Sequence, residues 1–195
     1  RNDIAVTVSV HVGVENASRH RMAQAMRLEK ALIARMREAA PEAEIGDASL
    51  LDLTVASQAL RGEGHENPSP HILERLLRSI ERDGRDREGG QGIVRLRKLS
   101  SKTVEVVLQR SWRIVEQTAA LRWIAAEKLL EVLIAKVPPG TRGKDLQIET
   151  TIGDLLAALD GDALIKAAGI KDMTKLLERA LLWLHEQQVM TLGKG

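Results

Sequence analysis

An α+β fold, mainly helical, follows from three features of this sequence. Residues 4 to 12, "IAVTVSVHV", alternate strictly between apolar and small or polar side chains, the period-2 pattern of a half-buried strand. Stretches rich in alanine and leucine are opened by capping residues and closed by proline, as helices are. Two short alternating segments, "IVRLRKL" and "TVEVVLQ", flank Ser100 to Lys102 and read as an antiparallel hairpin.

In the first strand Ile4, Val6, Val8, Val10 and Val12 share one face, and Ala5, Thr7, Ser9 and His11 the other. Arg21 to Ala40 reads as a helix ended by Pro41. A short extended piece is expected around Ala43 to Gly46. It is followed by a second helix in "SLLDLTVASQAL", where Ser49 and Asp52 have capping-box spacing. "GEGHENPSP" is a loop, and Ser69 with Pro70 supplies an N-cap and a proline at the first helical position. The third helix runs to about Arg82 and the hairpin comes after it.

The order helix, strand, helix, helix, strand then recurs. Ser111 to Val137 is a long helix ended by Pro138 and Pro139, and "LQIET" is extended. "TIGDLLAAL" opens a helix with Thr151 and Asp154 in capping-box spacing. A helical turn is expected over Ala163 to Ala168, a helix from Asp172 to about Gln188, and in "VMTL" the first strand of a hairpin that the sequence cuts off. The simplest architecture with this order is a tandem of winged-helix domains, each with three helices around one core and a hairpin closing its open side. The expected domains are 1–110, the N-terminal strand plus the first winged helix, and 111–195, the second with a truncated wing.

Composition narrows the function. At 44% hydrophobic the chain has enough apolar material for a core, and its net charge of +2 is too small to argue for a polyanion partner unless the charge is clustered. With no cysteine there is no disulfide, thiolate zinc site or cysteine nucleophile. No apolar run approaches the roughly 18 to 20 residues a membrane span needs, so a soluble cytoplasmic protein without membrane contact is expected. A start at Arg1 and an end in an apparent strand lead us to expect a piece of something longer.

The charge is indeed clustered. From His71 to Lys102 nine lysines and arginines face five acids, whereas residues 111 to 195 hold eleven of each, so any anionic partner belongs to the first repeat. On a helical wheel Ile72, Leu73, Leu76, Leu77 and Ile80 face the core, while Arg75, Arg78 and Arg82 lie within about 40° of His71 on the opposite side. Glu74 and Glu81 fall to the flank, leaving a basic stripe free of acids. Arg85 and Arg87 continue the charge into the loop, and Arg95, Arg97, Lys98 and Lys102 carry it onto the hairpin. In helix-turn-helix folds the exposed face of the third helix meets the major groove, so these ten residues are the candidate DNA-binding set. In the second repeat Lys171, Lys175 and Arg179 form only a modest positive edge, and an exposed Leu182 hints at a protein contact.

Enzyme chemistry finds little support. "PPGTRGKD" has three residues of glycine spacing instead of five and Asp145 where a phosphate loop needs Ser or Thr, leaving Arg142 and Lys144 as phosphate contacts at most. The five histidines show neither metal-ligand spacing nor a triad partner. No catalytic residue, metal or cofactor is expected. Trp112, Trp123 and Trp183 read as core anchors, and without Phe or Tyr the chain has almost no platform for stacking single-stranded bases.

The stretches "DGRDREGGQGIVRLRKLSSKTVEVVLQRSW", "LIAKVPPGTRGKDLQIETTIGDLLAAL" and "ERALLWLHEQQVMTLGKG" resemble the accessory region that follows the motor domains in large bacterial ATP-dependent DNA helicases of the RecQ type. The resemblance covers roughly residues 50 to 195. It implies winged-helix modules that engage duplex DNA near a fork, with the ATP-hydrolysing motor domains elsewhere in the parent chain as a partner. By position, Arg75, Arg78, Arg82, Arg95, Arg97 and Lys98 would be the duplex-facing residues. The chain departs from better-known members in lacking the four cysteines of a zinc module and an aromatic residue at the hairpin tip, "LSSK". Duplex anchoring, rather than strand separation by the wing, is therefore the expected role. A protein-interaction or scaffolding module and a transcription regulator are the alternatives.

Overall fold

The computed structural model describes residues 5–11, 17–84, 92–138, 140 and 145–193. Its elements in chain order are β1 (Ala5–His11), α1 (Ala17–Ala39), β2 (Ala48–Asp52), α2 (Leu53–Gly62), α3 (Pro70–Arg82), β3 (Val94–Lys98) and β4 (Thr103–Leu108). The second half contributes α4 (Trp112–Ala135), β5 (Asp145–Thr151), α5 (Ile152–Asp160), α6 (Ala163–Ala167), α7 (Met173–Glu186) and β6 (Met190–Leu192). The fold is α+β, with seven helices and two small antiparallel sheets among the described residues. No described helix is long and apolar enough to cross a membrane.

Two compact units divide the chain: an internal unit, Gln24–Ala120, and a terminal unit, Arg1–Ala23 with Leu121–Gly195. The expected division was 1–110 and 111–195. The difference arises because β1 finds its hydrogen-bond partners in β5 and β6, more than a hundred residues away, and not in its sequence neighbours.

In the internal unit the sheet order is β2-β4-β3. The expected hairpin is present, with Leu96 opposite Val106 and Val94 opposite Leu108. Residues 43 to 46 form no strand where an extended piece was expected; residues 45 and 46 lie in a turn closed by the Asp47 amide on the Glu44 carbonyl at 3.0 Å. Gly46, at φ +95, makes the turn into β2, its N–H donating to the Leu108 carbonyl at 2.7 Å. The strand takes residues 48 to 52, of which 49 to 52 were expected in the second helix. Ser49, expected to cap that helix, lies within β2 opposite Val106. Asp52 is the true cap, its carboxylate accepting from the Thr54 and Val55 amides at 2.9 Å each. Two carboxyl-bearing or hydroxyl-bearing residues three apart suited either position, and pairing of Ser49 and Leu51 with β4 decided between them.

Helix α3 matches the expectation at both ends. Ser69 Oγ accepts from the Ile72 amide at 3.3 Å, Pro70 starts the first turn, and the helix ends at Arg82. Leu73, Leu76, Leu77 and Ile80 are completely buried, each contributing about 1.5–3 kcal/mol by leaving water. Val104, Val106 and Leu108 from alternate positions of β4 are buried as well. Trp112 anchors the start of α4, its indole N–H donating to the Ala40 carbonyl at 2.8 Å.

The terminal unit has sheet order β5-β1-β6. Val8, completely buried, is the centre, opposite Ile148 on one side and Leu192 on the other. Strand β6 therefore pairs with β1, where the sequence suggested the first half of a local hairpin. Thr151 caps α5 by accepting from the Asp154 amide at 3.1 Å, and Asp162 and Asp172 cap α6 and α7.

The two units share a topology. In each, the strand that precedes the short capped helices forms one edge (β2 or β5) and the strand that follows them the other (β3 or β6). The middle place is taken by β4 in the internal unit and by β1 in the terminal unit. The same arrangement is completed once by the next strand along the chain and once by the N-terminal strand.

Candidate nucleic-acid interface

The candidate surface lies in the internal unit, on α3 and the β3–β4 hairpin. The apolar arc of α3 turns the opposite face outward, and it leaves His71 exposed and Glu74, Arg75, Arg78, Glu81 and Arg82 half-buried. The arginines are less available than their spacing suggests. Arg78 Nη1 lies 3.2 Å from Glu81 Oε1, so the stripe expected to be free of acids is bridged by one. Arg82 Nη2 donates to Ser79 Oγ at 3.2 Å, and the same hydroxyl donates to the Arg75 carbonyl. Arg75 has its Nε enclosed without a hydrogen-bond partner.

Both glutamates on the flank of α3 reach β3. Glu81 Oε2 accepts the Leu96 main-chain N–H at 2.8 Å, and Glu74 Oε1 lies 3.1 Å from Lys98 Nζ. An edge strand whose outward N–H groups face water is a template for unwanted pairing, and here a carboxylate covers one of them. The arrangement docks helix and hairpin to one another and neutralises Arg78 and Lys98 in doing so.

The free positive charge is on the outer face of the hairpin. Arg95 and Arg97 are both exposed, two residues apart on β3, and lie opposite Val107 and Glu105 on β4. Arg95 has no ion pair among the described residues. Arg97 Nε contacts Glu105 Oε1 at 3.4 Å with its side chain 70% exposed, an ion pair worth under about 1 kcal/mol that a phosphate can replace. Lys102 is exposed just past the turn. The turn itself is held by Ser100, whose Oγ accepts from the amides of Lys102 and Thr103 at 3.2 and 3.1 Å.

Beside Arg95 the sheet surface sinks into a depression of about 510 Å³, lined also by Ile45, Gly92, Val107 and Gln109. Gln109 was not singled out in the sequence, because nothing in its local spacing relates it to Arg95. It is brought there by the hairpin, which sets its amide on the Ile93 carbonyl at 3.0 Å. Of the ten expected residues, Arg85 and Arg87 lie outside the described residues, as do Arg142 and Lys144 of the glycine-rich turn. The other eight are within α3 and the hairpin: Arg78, Arg82 and Lys98 are engaged by neighbouring side chains, Arg75 has its Nε enclosed, and His71, Arg95, Arg97 and Lys102 are exposed.

Helix α7, at the corresponding place in the terminal unit, is not a comparable surface. Arg179, expected on a positive edge, is 8% exposed, and Leu182, expected outside, is half-buried. Trp183 is completely buried with the Arg122 guanidinium 5.4 Å from its ring centroid. His185 works locally, its Nδ1 accepting the Leu192 amide at 3.1 Å and so tying β6 to the end of α7. No protein-family model, no curated protein and no solved structure matches the chain.

Proposed function

We propose that the chain is a tandem winged-helix region that anchors duplex DNA through the backbone, as an accessory part of a larger ATP-dependent DNA helicase whose motor domains are its partner. What supports this reading is three helices and a β-hairpin around one three-stranded sheet, in the order α1-β2-α2-α3-β3-β4 with sheet order β2-β4-β3, and a terminal unit of the same plan with β1 in the central place. The helicase setting rests on the resemblance of the sequence stretches above.

The observation that carries the DNA reading is the outward group of cations on the hairpin. Arg95, Arg97 and Lys102 are exposed on one short element whose turn is held by hydrogen bonds, so they meet a charged rod without rearrangement. Glu74 and Glu81 of α3 set the hairpin's position. Contact is then made mainly with phosphates, with little preference for base sequence.

The test is a fluorescence-anisotropy titration of a forked duplex with the whole chain at several salt concentrations. If Arg95, Arg97 and Lys102 each neutralise a phosphate, affinity falls roughly fortyfold between 50 and 200 mM salt, from a slope near −0.9 per contact. The variant carrying Arg95→Ala, Arg97→Ala and Lys102→Ala should lose that dependence while keeping its circular dichroism. Unchanged, salt-sensitive binding by the folded triple variant rejects the hairpin as the contact.

A further inference from the structure

The other edge of the same sheet has the opposite character. In β2 the Leu53 amide donates to the Lys102 carbonyl at 2.7 Å and the Leu108 amide to the Asp47 carbonyl at 3.0 Å, so the odd-numbered residues face β4. The main-chain groups of Ala48 and Leu50 therefore point away from the sheet, along an edge with no neighbouring strand among the described residues. On β3 the outer edge is guarded by Glu81 and by basic side chains. On β2 no side chain among the described residues hydrogen-bonds to the outward main-chain groups of Ala48 or Leu50.

Exposed apolar side chains occur on β2 and in the residues on either side of it. Leu50 is 66% exposed, Ile45 67% and Val55 55%, three of the five large exposed hydrophobic residues among the described residues, all within eleven positions of the chain. The segment is acidic: Glu42, Glu44, Asp47 and Asp52 are exposed, and the sequence has no Lys, Arg or His from residue 41 to 60. Two copies meeting edge to edge would bring these carboxylates against their own kind, and DNA would be repelled.

We infer that the β2 edge is a docking site for an extended segment of a partner protein whose apolar centre is flanked by lysine or arginine. The segment adds as a further strand beside β2. Ala48 and Leu50 supply main-chain hydrogen bonds, the exposed Leu50 side chain receives its apolar side chains, and the exposed carboxylates of this segment attract its basic ends. One sheet then has two unlike edges, the basic β3 side for a nucleic acid and the acidic β2 side for a basic peptide.

The probe is a fluorescein-labelled peptide with a Val-Thr-Val-Thr-Val centre and two lysines at each end, titrated into the whole chain. Its controls are the same peptide with glutamates at the ends and the lysine peptide N-methylated through its centre, which keeps charge and apolarity but removes the main-chain donors. The expected result is saturable binding of the lysine peptide, at least about tenfold tighter than either control. Amide NMR shifts should centre on Ala48 and Leu50, and Leu50→Glu should reduce affinity by a similar factor. Equal binding of the N-methylated peptide, equal binding by Leu50→Glu, or no binding up to about 1 mM overturns the inference. So does light scattering that shows a dimer broken by Leu50→Glu, which would give the edge to a second copy. Forked-duplex affinity measured on the same Leu50→Glu protein keeps this outcome separate from the DNA reading.

Discussion

The Glu81 carboxylate accepts the main-chain N–H of Leu96 at 2.8 Å with one oxygen and meets Arg78 at 3.2 Å with the other. One side chain thus covers the outer edge of β3 and neutralises a cation on α3. The two effects separate by substitution. Glu81→Gln keeps an acceptor for Leu96 and releases Arg78; it should cost under about 1 kcal/mol in urea unfolding. Duplex binding should fall more steeply with salt, by a further factor of about three to four between 50 and 200 mM, from one added phosphate contact. Glu81→Ala also removes the acceptor and should cost about 1–2 kcal/mol.

The start of α2 gives a second prediction. Asp52 accepts two helix amides and Ser49 none, although both have cap-forming side chains. Asp52→Ala should destabilise the internal unit by about 1 kcal/mol, and Ser49→Ala should stay within about 0.5 kcal/mol. A larger loss for Ser49→Ala, by urea denaturation, would restore the cap suggested by sequence spacing.

Strand β1 completes the terminal unit's sheet, and Val8 is its buried centre. Val8→Asp places a carboxylate there and should cost more than about 3 kcal/mol. Hydrogen exchange locates the damage: amides of β5 and β6 should lose protection while those of β2, β3 and β4 keep theirs. Equal loss in both sheets would contradict the division into two units.

The tryptophans differ in what they support. Trp183 is completely buried beneath the Arg122 guanidinium, whereas Trp123 is half-buried with its indole N–H lacking a hydrogen-bond partner. Trp183→Ala should cost about 3–5 kcal/mol by denaturant unfolding, and Trp123→Ala clearly less.

Local signals determined much of the secondary structure. Ser69 and Pro70 opened α3 where the sequence placed it, Leu73 to Ile80 buried the face the wheel selected, and Ser100 turned the hairpin between two alternating segments. These features depend on residues within a few positions of one another, and period and capping record such relations faithfully. What tertiary structure decided were relations across the chain. Alternation in residues 4 to 12 marked a strand, but β5 and β6 as its partners follow only from closing the terminal unit around Val8. Ser49 and Asp52 were equivalent as letters until β4 lay beside residues 48 to 52. The basic stripe was real in spacing, yet Glu74 and Glu81 turn to β3 and take up part of its charge, because a helix wheel carries no record of what packs against its flank. Hydrogen-bond partners far apart in sequence compete for each strand edge and each side chain, and only the folded chain settles which of them wins.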